Sequence, residues 1–136
     1  LSIKENKKLV VAVSPDYAPF EFKTLVDGKD QVVGSDIKLA QAIADELGVK
    51  LEVTTMSFDN VLSSLQSGKA DLAISGISVT DERKKTFDFS YPYYETQNAI
   101  IVRKDQESTY SSLDAFKGKK VAVQKVPLKK ALLRNN

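Results

Sequence analysis

Val-rich runs alternate with amphipathic segments that end in glycine, and this alternation constrains the fold more than any single motif does. Residues 8–13 read as a buried strand leading into the turn Ser14-Pro15-Asp16-Tyr17-Ala18-Pro19. A hairpin-like turn at Asp27-Gly28-Lys29-Asp30 precedes Val32, Val33 and Gly34. Ser35 or Asp36 then caps a helix whose Ile37, Ala40, Ala44 and Leu47 fall at helical spacing, with Ile43 widening the stripe and Gly48 as its stop. Residues 50–55 alternate as a strand, and Ser57 caps a second helix with Val61, Leu62 and Leu65 inward and Gly68 as its end. Residues 71–75 form a third strand, 81–85 a short charged helical turn, and 86–90 a brief extended piece. Residues 95–103 are expected as a long strand, because Ala99-Ile100-Ile101-Val102 is continuously apolar, as in a strand covered on both faces. This order predicts an α/β fold with an open, parallel sheet. In such sheets ligands sit beyond the carboxyl ends of the strands, where residues 14–17 and 75–78 fall.

The second of those ends carries the chemistry. Ser75, Gly76 and Ser78 place hydroxyls and bare backbone just past Ile74, and Thr80 offers an N-cap close to Arg83. A guanidinium beside amides and hydroxyls can grip a carboxylate through two parallel hydrogen bonds, each contributing about 1.5–3 kcal/mol. The bland alternative is a solvated arginine in the charged run Asp81-Glu82-Arg83-Lys84-Lys85. Tyr17 and Phe58 can equally be packing aromatics, although Phe58 follows a strand at a helix start, as a cleft residue would. Tyr91, Tyr93 and Tyr94 read as packing or hinge residues, and Asp16 as a turn residue.

Composition removes whole classes of function. The 136 residues contain no cysteine and no histidine, which excludes a thiol nucleophile, a disulfide framework, a histidine base and a zinc site of the usual ligands. No cofactor is expected. Twenty Lys and Arg against eighteen Asp and Glu give a net charge of +2, spread along the chain rather than striped, so nucleic-acid binding finds no support. No apolar run approaches the roughly 18 residues of a membrane span. Residues 105–112 are polar and mark a linker; beyond them come a helical turn at 113–116, a loop at 117–120, a strand at 121–124 and a basic, mildly helical stretch at 126–136.

These residues resemble the extracellular solute-binding proteins, family 3, of polar amino acid ABC importers. The resemblance runs from about Leu9 to Gln124 and rests on Tyr17-Ala18-Pro19-Phe20-Glu21-Phe22, Gly34-Ser35-Asp36-Ile37, Phe58-Asp59-Asn60, residues 69–83, and Phe87-Asp88-Phe89-Ser90 leading to Tyr93-Tyr94. It implies a periplasmic-binding-protein-like, type II α/β fold with an open sheet and flanking helices, in which two lobes joined by crossing strands close on one amino acid. Residues 1–104 would be lobe one with the first crossover strand, and 105–136 a linker and truncated start of lobe two. On the family pattern Arg83 takes the α-carboxylate beside the Ser78 amide and hydroxyl, and the Gly76 carbonyl takes the α-ammonium. Tyr17 and Phe58 line the side-chain pocket, and Ser14 and Ser75 add polar contacts. Ser14 stands where several members carry an acidic residue, and Gly76 is a serine in some.

The implied protein is not an enzyme. It carries a free polar amino acid (arginine, lysine, glutamine or similar) to a membrane permease from an extracytoplasmic position, periplasmic or lipid-anchored after loss of a signal peptide. Its alternatives are an enzyme on the same fold, a dehydratase or peptidoglycan lyase with Glu21 as the nearby acid, or the sensor lobe of a receptor. The tail from Val126 departs from the family pattern. One added nucleotide after the Lys125 codon lets the same bases encode Gly-Thr-Ile-Glu-Glu-Ser-Ile-Val-Lys-Glu-Gln, which looks like the family's continuation, so a frameshifted, truncated product with weak binding is expected. A homodimer through the truncated lobe is a further expectation.

Overall fold

The computed structural model describes residues 2–122. Its contacts divide the chain into a first unit ending at Phe89 and a second beginning at Ser90. In the first unit, α1 (Ser2–Asn6) leads into β1 (Lys8–Val13), followed by β2 (Asp16–Tyr17), β3 (Glu21–Val26), β4 (Lys29–Val33), α2 (Ser35–Leu47), β5 (Lys50–Thr55), α3 (Phe58–Gln66), β6 (Leu72–Ala73) and α4 (Asp81–Lys84). These strands make two sheets. One is parallel, in the order β5-β1-β6, and the other antiparallel, in the order β2-β3-β4.

The parallel sheet is the one expected from the alternation of strands and helices, and β1 is its centre. Lys8 to Val13 pair in register with Lys50 to Thr55 on one side, and Val11 and Ala12 with Leu72 and Ala73 on the other. Its side chains divide by parity, as a pleated strand requires. Leu9, Val11 and Val13 pack with Ala40 and Ala44 of α2, while Ala12 packs with Val61 of α3 and with Ala70. Both faces of β1 are therefore covered, which is why its sequence is apolar without alternation. Asp71 joins the strand edges twice: its N–H donates to the Val10 carbonyl at 2.8 Å, and its Oδ2 accepts from the Val10 N–H at 2.9 Å.

The helix expectations hold in extent and differ at the caps. Gly48 ends α2 in the left-handed conformation at φ 69°, as a glycine stop should. Gly34, not Ser35 or Asp36, occupies the N-cap of α2, and no side chain caps that end. Gly34 has φ 129° and ψ 176°, a region open essentially only to glycine, and it lies against Phe20: a Cβ there would stand 2.2 Å from the Phe20 carbonyl oxygen. The Asp36 N–H donates to the same carbonyl at 2.9 Å, and the carboxyl of Asp36 is buried instead of capping. Ser57 is the N-cap residue of α3, but its side chain makes no capping hydrogen bond.

The antiparallel sheet was not expected as a separate layer. Its hairpin turns at Asp27-Gly28, both with positive φ, the combination that joins two strands through a two-residue turn. The strand expected at residues 95–103 is corrected: the backbone there is irregular from Tyr91 to Arg103, and Ile101 is 97% exposed. A strand needs a ladder partner as well as apolar residues, and none is paired with this run among the described residues. The second unit holds 3-10 turns at Lys104–Gln106 and Leu113–Phe116, with the Tyr110 and Phe116 rings stacked at 4.8 Å. The first of these overlaps the start of the stretch read as a linker. The strand expected at 121–124 is irregular at residues 121 and 122, and its remainder, like the tail 126–136, lies outside the described residues.

Three substitutions test this packing by urea unfolding. Gly34→Ala is expected to cost about 3 kcal/mol or more, whereas Gly28→Ala, at φ 75° with open space around it, costs about 1 kcal/mol. Asp71→Ala leaves the Val10 N–H without its acceptor and should cost about 1–3 kcal/mol.

Candidate functional site

Because β5, β1 and β6 run parallel, their carboxyl ends open on one side, and Ser14, residues 56–58 and Ser75 follow those ends directly. The two serines are joined: the Ser14 N–H donates to Ser75 Oγ at 2.8 Å. Ser14 Oγ donates to Asp16 Oδ1 at 3.0 Å, and Ser75 Oγ donates to Glu21 Oε1 at 2.5 Å. Each hydroxyl proton is thus directed at a carboxyl group of the protein, and both serines are almost fully buried. What either oxygen can still offer a ligand is a lone pair.

Gly76 and Tyr17 are also brought together. Gly76 has φ 57°, and a Cβ at that position would lie 2.8 Å from Tyr17 Cε1 and 2.9 Å from Cδ1, so the ring rests on bare backbone. Tyr17 is half exposed, and its ring lies 5.0 Å from that of Phe20, tilted by 39°. A half-exposed aromatic face resting on the chain can take a cation or an apolar stem.

Ser78 and Arg83 form the third pair. Thr80 is the N-cap of α4, as expected, with its Oγ1 accepting from the Arg83 N–H at 3.2 Å. This turn carries the guanidinium back along the chain, where Arg83 Nη1 donates to the Ser78 carbonyl at 2.9 Å. That bond engages one of the five guanidinium N–H groups. Partial burial draws the Arg83 pKa below its usual value, against the opposing charge of Glu82. Phe58 opens α3, half buried, at the end of β5; no bond or ring contact ties it to the other candidates.

Two residues of this edge were not among the sequence candidates for binding. Glu21, on β3, is fully buried, and its side chain hydrogen-bonds with Asp36 as well as with Ser75. Its pKa is pushed up to about 8, first by burial and then by the hydrogen bond and charge of Asp36 and the charge of Asp16, while the Ser75 hydroxyl pulls it down. Glu21 Oε2 meets no N–H or O–H donor, and a bond between two carboxyl groups requires that one carry a proton. The available signal was an acid between two phenylalanines, a position facing into the fold if its strand is half buried. Two concavities elsewhere, about 510 Å³ along residues 100–111 and about 410 Å³ between the end of β5 and α3, include none of the candidate residues.

Known proteins carry the same arrangement of sequence. The model of the bacterial extracellular solute-binding proteins, family 3, matches residues 9–134. The arginine-binding extracellular protein ArtP of Bacillus subtilis is 44% identical over 119 residues, which are 88% of this chain and 44% of that protein. The crystal structure of the amino acid ABC transporter substrate-binding protein AbpA from Streptococcus pneumoniae, bound to L-arginine, superposes with a TM-score of 0.90 at 58% identity, over 98% of this chain and 56% of that one. The arginine-bound form of domain 1 from TmArgBP gives a TM-score of 0.64 at 44% identity, over 69% of this chain and 72% of that domain. The chain spans less than half the length of the curated relative and just over half of the full-length structure. With the family model extending over nearly all of its residues, the chain belongs to the bacterial extracellular solute-binding proteins, family 3.

Proposed function

We propose that this chain is the ligand-binding part of an ABC importer's receptor and captures a free amino acid with a cationic side chain, arginine first, outside the cytoplasm for delivery to a membrane permease. The observation that carries this reading is the Arg83 turn, a charged fork held by its own backbone beside Ser78 on the segment that follows β6 of the parallel sheet. In this reading Arg83 and the Ser78 amide and hydroxyl take the α-carboxylate, and the Gly76 carbonyl takes the α-ammonium. Tyr17 and Phe58 flank the side chain, while Ser14 and Ser75 present acceptor oxygens to the ligand. Residues 1–104 act as lobe one and 105–136 as the start of lobe two.

Relatives that bind arginine support the choice of ligand, and the arginine-bound domain 1 supports binding by a single lobe. Binding by this chain is weak compared with that of a closed two-lobed cleft, since one wall makes about half the contacts. Against the enzymatic alternative stands the burial of its acid, since Glu21 is fully buried with its carboxyl bonded to Ser75. Fractionation of the native host decides between a periplasmic and a lipid-anchored form.

Calorimetry with L-arginine tests the reading, with agmatine, which lacks the α-carboxylate, as comparison. Arginine should bind and agmatine should not; equal affinity for the two would overturn the carboxylate assignment. Arg83→Ala is expected to weaken arginine binding about a hundredfold, roughly 2.8 kcal/mol. Tyr17→Ala should weaken it about fivefold to thirtyfold, the range for loss of one cation–π face of 1–2 kcal/mol.

A further inference from the structure

Glu21 and Asp36 are 0% and 1% exposed, and they arrive from different elements, β3 and α2. The groups acting on Glu21 are Asp36 from α2, Asp16 from β2 and the Ser75 hydroxyl beyond β6; no cation is among them. Glu21 Oε1 accepts a hydrogen bond from the Ser75 hydroxyl, and Oε2 has no donor among the described residues. Two bare carboxylates in contact here would hold two like charges away from water, and one proton between them removes that conflict.

The position of this pair gives it leverage over the binding edge. Glu21 is the register partner of Tyr17 in the antiparallel sheet, and its carboxyl holds Ser75, the residue before Gly76. Ser75 in turn receives the Ser14 amide, which links the ends of β1 and β6. We propose that Glu21 keeps a proton at its contact with Asp36 and that this acid pair is the positioning element of the amino-acid-binding edge, the places of Ser75, Gly76 and Tyr17 depending on that proton. The proposal rests on the function given above. Loss of the proton places a second negative charge in the pair and the carboxyls separate; the Ser75 hydroxyl, which bonds a charged Glu21 more strongly than a neutral one, follows Oε1 as it moves, so Ser75 and Gly76 leave their places and affinity for the amino acid falls.

The experiment is arginine titration of the 136-residue chain across about pH 6 to 9.5, beside Glu21→Gln, Glu21→Ala and Asp36→Asn. The unsubstituted chain should lose affinity above about pH 8, by up to about tenfold per pH unit. Titration of the ligand's own amine is common to all variants, so the comparison between them carries the result. Glu21→Gln, neutral at every pH, should lack the break and should bind more tightly than Glu21→Ala. Asp36→Asn should move the break to lower pH, because the like charge that holds the proton is gone. A break unchanged in Glu21→Gln, or no break in the unsubstituted chain, overturns the positioning role.

Two ligand-free readouts address the pair's proton alone. An infrared carboxylic-acid band should be present near pH 6.5 and absent in Glu21→Gln; its absence from the unsubstituted chain overturns the pair. Stability should fall as pH rises from about 4.5 to about 8, because over that window the folded chain keeps a proton the unfolded chain has released, and Glu21→Gln should lose this slope. If arginine binds at no pH, the proposed function and the positioning claim both fail, and the infrared band still reports on the pair by itself.

Discussion

The central position of β1 is the constraint on which the first unit depends. From Leu9 to Val13 the strand is covered on both faces and carries no polar side chain; Lys8 at its start is exposed, and at its other end the chemistry begins directly after Val13. Val13 is buried and apolar; Ser14, one residue later, is buried and polar. That single step from packing to hydrogen bonding marks the boundary between scaffold and edge. α2 and α3 are placed by the same strand, one against each face, and they bring Asp36 and Phe58 to the same end of the sheet by their starting points alone.

The edge joins the two sheets. Ser75 follows β6 of the parallel sheet and Glu21 belongs to the antiparallel one, so the hydrogen bond between them, with the Ser14 amide behind it, ties the β2-β3-β4 layer to the ends of β1 and β6. A chain of bonds in a buried setting is stronger for being fully satisfied and costly when one member is removed. This accounts for serines that are almost completely enclosed at the rim of a site: their first partners are protein carboxyls.

What the sequence made legible were features decided by local periodicity. The stripe Ile37, Ala40, Ala44 with Gly48 behind it announces α2, and Thr80 with Arg83 announces a capped turn, because both depend only on residues a few positions apart. Features that depend on distant partners were less visible. Asp36 has the look of a cap because acids are common in first turns, yet its carboxyl is buried, and the Glu21 that meets it comes from another strand. The run Ala99-Ile100-Ile101-Val102 is apolar enough for a strand, yet pairing belongs to a second segment that the run itself cannot specify. β2 is two residues long, too short for any pattern, and its existence follows from the pairing of Asp16 with Phe22 and Tyr17 with Glu21.

The bond from Arg83 to the Ser78 carbonyl has a kinetic side. An arginine on a free surface samples many rotamers and loses that freedom when it grips a carboxylate, a cost of order 0.5–1.5 kcal/mol for a long side chain. Here the side chain already bonds its own loop, with the Thr80 cap fixing the backbone beneath it, so part of that ordering is in place before any anion arrives. In the proposed role an incoming carboxylate would meet a fork that its own loop already orients, and less of the association would wait on rearrangement of the arginine.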